Sequence, residues 1–228
     1  MLALIVARGG SKRLPKKCLK LFNGFPLIYW TIIAAQKSKV FDDIIVSTDD
    51  LEIAEIAKSF GAVVPFIRPD ELAADKTEML DVVLHAIKFL KFSGQIALLQ
   101  PTSPLRQDWH IVEACQLFDQ GASSVVSFTN VAPNLNWLYT QQPGVLDLKP
   151  IGSYLNANEF GLIDNVRSIL IPNGAIYMLN SENLKSSGKF ITEKTTPYIM
   201  DKDHSIDIDT QSDWDLADLI FKGKKYNE

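Results

Sequence analysis

The sequence predicts an α/β fold: a mostly parallel sheet flanked by helices, carrying one small insertion. Three observations predict it. Short apolar runs of strand length alternate with longer segments whose apolar residues recur at helical spacing. The first such run opens directly into a basic, glycine-containing loop, the position where open α/β sheets hold ligands. The chain of 228 residues fits one large domain, spanning residues 1–228, better than two cramped ones. A hydrophobic content of 46% with 22% charged residues excludes a disordered or collagen-like chain.

The elements follow in order. Leu2–Ala7 reads as a buried first strand. Pro26 stands where a helix can begin, and Leu27, Ile28, Thr31, Ile32 and Ala35 carry its apolar stripe until Lys37–Lys39. Ile44–Ser47 is the second strand. Leu51–Phe60 is a helix with Ile53, Ile56, Ala57 and Phe60 on one face and Gly61 at its left-handed stop. Ala62–Phe66 is expected to return as a strand. Thr77–Leu90 repeats the helical stripe, Ile96–Leu99 is a continuous apolar strand, Ile111–Phe118 a helix and Ser124–Phe128 a strand. The alternation lapses from about Asn130 to Ile171, where Pro133, Pro143, Gly144, Pro150 and Gly152 interrupt a stretch rich in aromatic residues. This interval is the expected insertion, and its apolar content points to a subunit contact. Ala175–Leu179 and Ser205–Asp209 then read as strands, before a last helix over about Ser212–Phe221 capped by Ser212 or Thr210.

Charge and cysteine usage narrow the function. A net charge of −4 argues against broad nucleic-acid binding, so any anion site must be local. Met1–Ala7 is too short to cross a bilayer and lacks the basic start of a signal peptide, which with two isolated cysteines, Cys18 and Cys115, leads us to expect a cytoplasmic protein with reduced thiols and no membrane partner. His85, His110 and His204 show no short metal-ligand spacing, and His85 and Cys115 fall within helical patterns as packing residues.

Two clusters carry chemistry. The segment Ala7-Arg8-Gly9-Gly10-Ser11-Lys12-Arg13-Leu14-Pro15-Lys16-Lys17 offers paired glycines, a hydroxyl and five cations, a cradle suited to a polyphosphate. It matches neither a Walker loop nor a dinucleotide fingerprint; a solvated basic turn is the plainer alternative. Near the other end, strand alternation in Ser205-Ile206-Asp207-Ile208-Asp209-Thr210 puts Asp207 and Asp209 on one face, where two carboxylates can hold Mg²⁺. Against that, Asp209 could simply cap the last helix. Ser47-Thr48-Asp49-Asp50 sits at a strand end and is read chiefly as the start of the next helix.

Taken in order, these blocks together with Arg68-Pro69-Asp70-Glu71-Leu72-Ala73, Leu99-Gln100-Pro101-Thr102-Ser103-Pro104-Leu105-Arg106 and Pro172-Asn173-Gly174-Ala175-Ile176-Tyr177 give the chain a resemblance to the CMP-sialic acid synthetases. These cytidylyltransferases activate sialic acid and related nine-carbon sugar acids. The resemblance implies a Rossmann-like nucleotidyltransferase using CTP and Mg²⁺, and a homodimer whose inserted segment helps complete the sugar pocket. It implies that Arg8, Ser11, Lys12 and Lys17 contact the nucleotide, with Lys12 also serving catalysis, and that Arg68 lies near the cytidine end. Gln100 and Tyr177 would face the sugar acid, and Asp207 and Asp209 would bind the metal.

The chain departs from that family's pattern at three places. Cys18 stands where an Asn is common, Lys76-Thr77-Glu78-Met79 replaces a Ser/Thr-rich run, and Ile171 replaces an Arg directly before Pro-Asn-Gly. Ile171 cannot form the paired hydrogen bonds of an Arg, so either Arg167 substitutes or the acceptor is a less polar acid, such as a 9-deoxy diacetamido sugar of the legionaminic type. Two alternatives complete the reading: the same chemistry on the eight-carbon acid Kdo, and a non-catalytic nucleotide-binding module.

Overall fold

Strand β1 (Leu2–Val6) is the centre of the fold because both of its faces are apolar and both are buried. Ala3 and Ile5 point into one core, and Leu2 and Leu4 into another. A computed structural model of the chain describes residues 1–131, 139–140, 149–150 and 169–224. In it, β1 pairs in parallel with β4 (Asp43–Ser47) on one side and β5 (Gln95–Leu99) on the other. Beyond β5 lies β9 (Ile169–Asn180), antiparallel to β5 and to β6 (Ser124–Val131). Strand β10 (Thr195–Ile199) closes that edge parallel to β6, so the six strands run β10-β6-β9-β5-β1-β4. The sheet is mostly parallel, as expected, with β9 as its one reversed strand. Two short hairpins complete the strands: β2 (Leu21–Phe22) with β3 (Phe25–Pro26), and β7 (Tyr139–Thr140) with β8 (Lys149–Pro150).

Helices cover both faces, as a parallel sheet requires. On one face α1 (Leu27–Ser38), α2 (Leu51–Ser59) and α4 (Asp108–Asp119) contribute Ile28, Ile32, Ile53, Ile111 and Phe118 to the core with Ile5, Leu99 and Met178. On the other, α3 (Met79–Leu90) and α5 (Ser181–Ser187) pack Val83, Ile87 and Leu184 against Leu4, Ile96 and Leu98. A third cluster joins Leu14, Phe22, Leu27, Leu105 and Ile208 to Trp214 and Ala217 of α6 (Gln211–Lys224). That cluster ties the loop after β1 to the end of the chain.

Capping explains where several helices start and stop. Asp50 accepts hydrogen bonds from the backbone of Glu52 (2.8 Å) and Ile53 (3.1 Å) at the start of α2, and Gly61 at φ 84° follows its end. Pro26 precedes α1 directly. Thr210, not Ser212, caps α6: its hydroxyl accepts from Asp213 N (3.3 Å) while the Asp213 carboxylate receives Thr210 N (2.7 Å).

Two expected strands do not form. At 62–66 only a single bridge joins Val63 to Ile45, because Pro65 has no N–H to extend the ladder; pairing resumes once, between Thr48 and Ile67. At 205–209 a 3₁₀ turn occupies Asp203–Ser205 and α6 begins at Gln211. The residues between are extended, and Ile208 N reaches Thr102 O at 2.8 Å without a strand ladder. The alternation nevertheless holds, with Ile208 fully buried and Asp207 exposed. The expected insertion, about 130–171, falls largely outside the described residues, with Trp137, Leu138, Tyr154, Phe160 and Arg167 among them.

Replacing Asp50 with Ala removes the cap of α2 and leaves two helix N–H groups without their partner. We expect a loss of about 1 kcal/mol in urea unfolding, with the denaturant slope unchanged.

Candidate active site

The carboxyl ends of β1, β4 and β5 open onto a cleft of about 560 Å³. Its walls include Arg8, Ser11, Lys12, Arg13 and Lys17 from the loop after β1, Arg68, Gln100 and Thr102, the 72–77 loop, and Asp209. The loop after β1 is shaped by close packing. A Cβ on Gly9 would stand 2.6 Å from Asp50 Oδ2 and 2.9 Å from Asp50 Cβ, and Asp50 is fixed by its capping bonds, so only glycine fits. The Gly9 N–H is directed at the Asp49 carboxylate (3.3 Å) rather than into the cleft. The cations that line the cleft are side chains of this loop together with Arg68.

Those side chains are held by carboxylates. Arg68 is 2% exposed and pairs with Asp49 at 2.9 Å; burial lowers its pKa, and Asp49 opposes that shift. Asp75 receives both Lys12 and, at 3.2 Å, Arg8, which hold its carboxyl below the usual range. Lys17 is buried and donates to Ile208 O at 2.6 Å and to Asp209 Oδ1 at 3.0 Å, while Arg13 reaches the other Asp209 oxygen at 3.4 Å. The two clusters read separately from the sequence thus meet through Lys17.

Asp207 stands beside Asp209 at the margin of the cleft. It keeps solvent contact, yet desolvation by the surrounding protein, with the Asp209 charge adding to it, raises its carboxyl above the ordinary carboxylate value. Two neighbouring carboxylates are hard oxygen donors, the chemistry that suits a divalent cation. Its neighbour is an arch in β9. Val126 pairs with Tyr177 and Phe128 with Pro172, so Asn173 to Ile176 bow out opposite the single residue Ser127. At the crest Gly174 adopts φ 78°; its absent Cβ would lie 3.6 Å from Asp207 Oδ2 and 3.7 Å from the Gln100 amide. Ser127 donates to Asn173 at 2.6 Å, and Asn173 in turn to Ser205 at 2.9 Å, so the arch also braces the turn that leads to Asp207.

Tyr177 does not line this cleft. It lines an adjoining groove of about 430 Å³ with Leu80, Phe190 and Ile191, and Met79 belongs to both spaces. Burial, then the Asp207 charge, raises the pKa of the Tyr177 hydroxyl, which places it within reach of the carboxylate pair's field. Ile171 lies apart, 49% exposed and paired with Thr129 on β6.

Folding also joins residues that sequence spacing kept apart. His110, Asp201 and His204 bring ligand-type atoms within 4.8 Å of one another. This is a brace rather than a metal centre. His110 Nδ1 accepts the Gln107 backbone N–H (3.0 Å), which leaves the proton of the neutral ring on Nε2. His204 Nδ1 meets Asp201 Oδ2 at 2.6 Å. Desolvation, then His204, pushes His110 down to about 4. Asp75 was not singled out in the sequence, since nothing local marks a loop carboxylate as the counterion of residues more than sixty positions earlier. His85 packs against Phe66 and Phe89, and Cys115 is buried, as their helical settings predicted.

Two measurements check this geometry. Lys17→Met should lower unfolding free energy by about 2 kcal/mol, because it strips a charged donor from a buried carbonyl and a carboxylate. Lys12→Ala, at an exposed position, should change it by no more than about 0.5 kcal/mol. Cys18 offers a second check: burial pushes its thiol from 9.0 up to about 11. The native state then holds the proton that the unfolded chain loses first, so stability is present below pH 9 and falls as pH rises towards 11. Comparing pH-dependent urea unfolding of the wild type with Cys18→Ala should show that part of the decline vanish in the variant.

Comparison with known proteins identifies the family. A family model described as cytidylyltransferase matches residues 2–215. The chain is 34% identical over 232 residues to the CMP-N,N'-diacetyllegionaminic acid synthase of Legionella pneumophila, covering 97% of this chain and 96% of that protein. It is 36% identical to the N-acylneuraminate cytidylyltransferase of Escherichia coli over 98% of its own length but 52% of that protein's. Among solved structures, a CMP:2-keto-3-deoxy-manno-octonic acid synthetase complexed with CTP shares the fold, with a TM-score of 0.70 at 16% identity and 98% of each chain covered. The basic loop after β1, the acidic segment before α6 and the matched span of nearly the whole chain lead to one conclusion: this protein belongs to the cytidylyltransferase family.

Proposed function

We propose that the protein transfers CMP from CTP to the anomeric hydroxyl of a nine-carbon 2-keto sugar acid, releasing pyrophosphate. The observation that supports this reading is the meeting of four loop cations, Arg8, Lys12, Arg13 and Lys17, with Asp209 in one cleft, Asp207 standing at its margin. The relatives named for diacetyllegionaminic and N-acylneuraminic acid supply the acceptor class.

The residues divide the work by chemistry. Arg8 and Lys12, held by Asp75 in the free protein, exchange that carboxylate for the triphosphate, and Ser11 donates a hydroxyl beside them. Arg68, anchored by Asp49, faces the nucleoside end with fixed charge. Asp207 and Asp209 are the residues that would hold a divalent metal, with Mg²⁺ the ion suited to their oxygens; when bound it neutralises developing phosphate charge. Lys17 holds the Asp209 carboxylate in place from below. Lys12 meets the charge that builds on the departing pyrophosphate.

The acceptor lies on the Gln100 and Tyr177 side. Gln100 offers an amide at the cleft wall, and the groove of Met79, Leu80, Tyr177, Phe190 and Ile191 offers apolar surface to an acyl methyl or a deoxy tail. Ile171 faces outward, so its contribution to a sugar pocket requires a second copy of the chain. A homodimer built through the 130–171 segment meets that need and covers exposed apolar surface. The described residues contain no helix long and apolar enough to cross a membrane, and a cytoplasmic setting suits an enzyme fed by CTP.

The deciding experiment is pyrophosphate release from CTP and Mg²⁺ with purified sugar acids. We expect the deoxy diacetamido acid to exceed N-acetylneuraminic acid by about tenfold to hundredfold in kcat/KM, the range one apolar contact supplies, with Kdo below both. Kdo as the best acceptor would overturn the nine-carbon assignment. Asp209→Asn should keep the fold and lower turnover by about two powers of ten at saturating Mg²⁺.

A further inference from the structure

Arg106 ends the Gln100–Arg106 block and lies outside the residues lining the cleft. With Arg68 it heads the fully buried side chains, at 1% exposed. Arg68 has Asp49, whereas no carboxylate among the described residues pairs with Arg106, and burial alone draws its pKa down to about 9. Its Nη1 donates to Ala175 O at 2.9 Å and to Gln100 O at 3.2 Å, and Nε and Nη2 find no partner among the described residues. A cation so placed is costly to bury and needs a return.

The two carbonyls it grips supply that return. The β5–β9 ladder ends at Leu98 and Tyr177, and the backbone beyond parts: β5 runs into Gln100 while β9 enters the Asn173–Ile176 arch. Arg106 spans the gap, with Thr31 Oγ1 adding a bond to Gln100 O at 3.3 Å. Gln100 carries the amide at the cleft wall, and Ala175 follows Gly174, which abuts both that amide and Asp207. We propose that Arg106 is a positioning residue for acceptor recognition, clamping the Gln100 and Ala175 backbone so that the Gln100 amide stands in fixed register beside Gly174 and Asp207. Both bonds leave the single nitrogen Nη1, so a Lys ammonium, whose three donors also share one nitrogen, can restore part of the grip.

This inference rests on the reading that Gln100 faces the sugar acid, and the experiment separates the two. KM for the sugar acid and for CTP, with melting temperature, are measured for Arg106→Met, Arg106→Lys, Gln100→Ala and the double variant Gln100→Ala/Arg106→Met. We expect Arg106→Met to raise acceptor KM by about tenfold with CTP KM within about twofold, and Arg106→Lys to recover part of the loss. In the Gln100→Ala background the Arg106→Met effect should largely disappear. Should Arg106→Met not fold, Arg106→Lys carries the test alone, with acceptor KM raised and CTP KM held. If Gln100→Ala raises acceptor KM while the Arg106 variants do not, or if they raise both KM values alike, the positioning role is overturned. If Gln100→Ala leaves acceptor KM unchanged, the reading of Gln100 fails first and the inference falls with it.

Discussion

The Lys17 ammonium joins the two halves of the site. It is buried, it bonds to the Ile208 carbonyl and the Asp209 carboxylate, and those partners lie some 190 positions along the chain. The loop after β1 and the acidic segment before α6 share an edge of the sheet through this bond and through apolar packing. Apolar packing brings them close: Leu14 from the loop and Ile208 from the segment enter one cluster with Leu105 and Trp214. Burying Ile208 completely contributes about 2 to 3 kcal/mol, which holds the segment in place although it forms no strand. Lys17 then sets the polar register on top of that packing. Hydrophobic burial supplies the energy and the charged bond supplies the direction.

The same division governs the charge of the cleft. The chain is acidic overall, yet Arg8, Lys12, Arg13, Lys17 and Arg68 line a single space. Each is restrained by a carboxylate of graded accessibility: Asp49 is nearly buried against Arg68, Asp209 half-exposed against Lys17 and Arg13, and Asp75 half-exposed against Arg8 and Lys12. A ligand phosphate competes poorly with a buried ion pair and readily with an exposed one, because solvent screens the latter. Asp49 therefore belongs to the scaffold, and under the proposed function Asp75 is the counterion that a nucleotide would displace. Preorganising cations in this way avoids leaving like charges unpaired before substrate arrives.

The reversed strand β9 contributes the Gln100 and Asp207 side of the cleft margin through the Gly174 crest. An all-parallel sheet would place every strand end at the cleft in the same sense. Running β9 against its neighbours instead brings the middle of a twelve-residue strand past the site, where an arch can form without ending the strand. Gly174 at positive φ makes the crest, Ser127 and Asn173 brace it, and the turn carrying Asp201, His204 and Ser205 leans on the same residues. The position of Asp207 is thus set by hydrogen bonds from β6 and β9 as well as by its own segment.

Much of this was legible in the sequence where the signal is local. Strand and helix alternation, the Gly61 stop, the basic loop and the Asp207–Asp209 pair all reside in periodicity or short spacing, and the ordered blocks identified the family. The sequence reading missed β10 and the absence of strands at 62–66 and 205–209, because Pro197 disguises an edge strand while Pro65 and an adjoining 3₁₀ turn cancel apparent ones. The Asn23-Gly24 turn of the β2–β3 hairpin carried a usable signal that periodicity alone passes over. By itself, then, the sequence determined which segments carry charge, which are apolar and which chemistry they can perform. Only the tertiary structure decided that Lys17 holds Asp209, that Asp75 faces Arg8 and Lys12, that His110 meets His204, and that Ile171 turns away from the cleft. Those pairings are set by distances in space between residues far apart along the chain, and no local period encodes them.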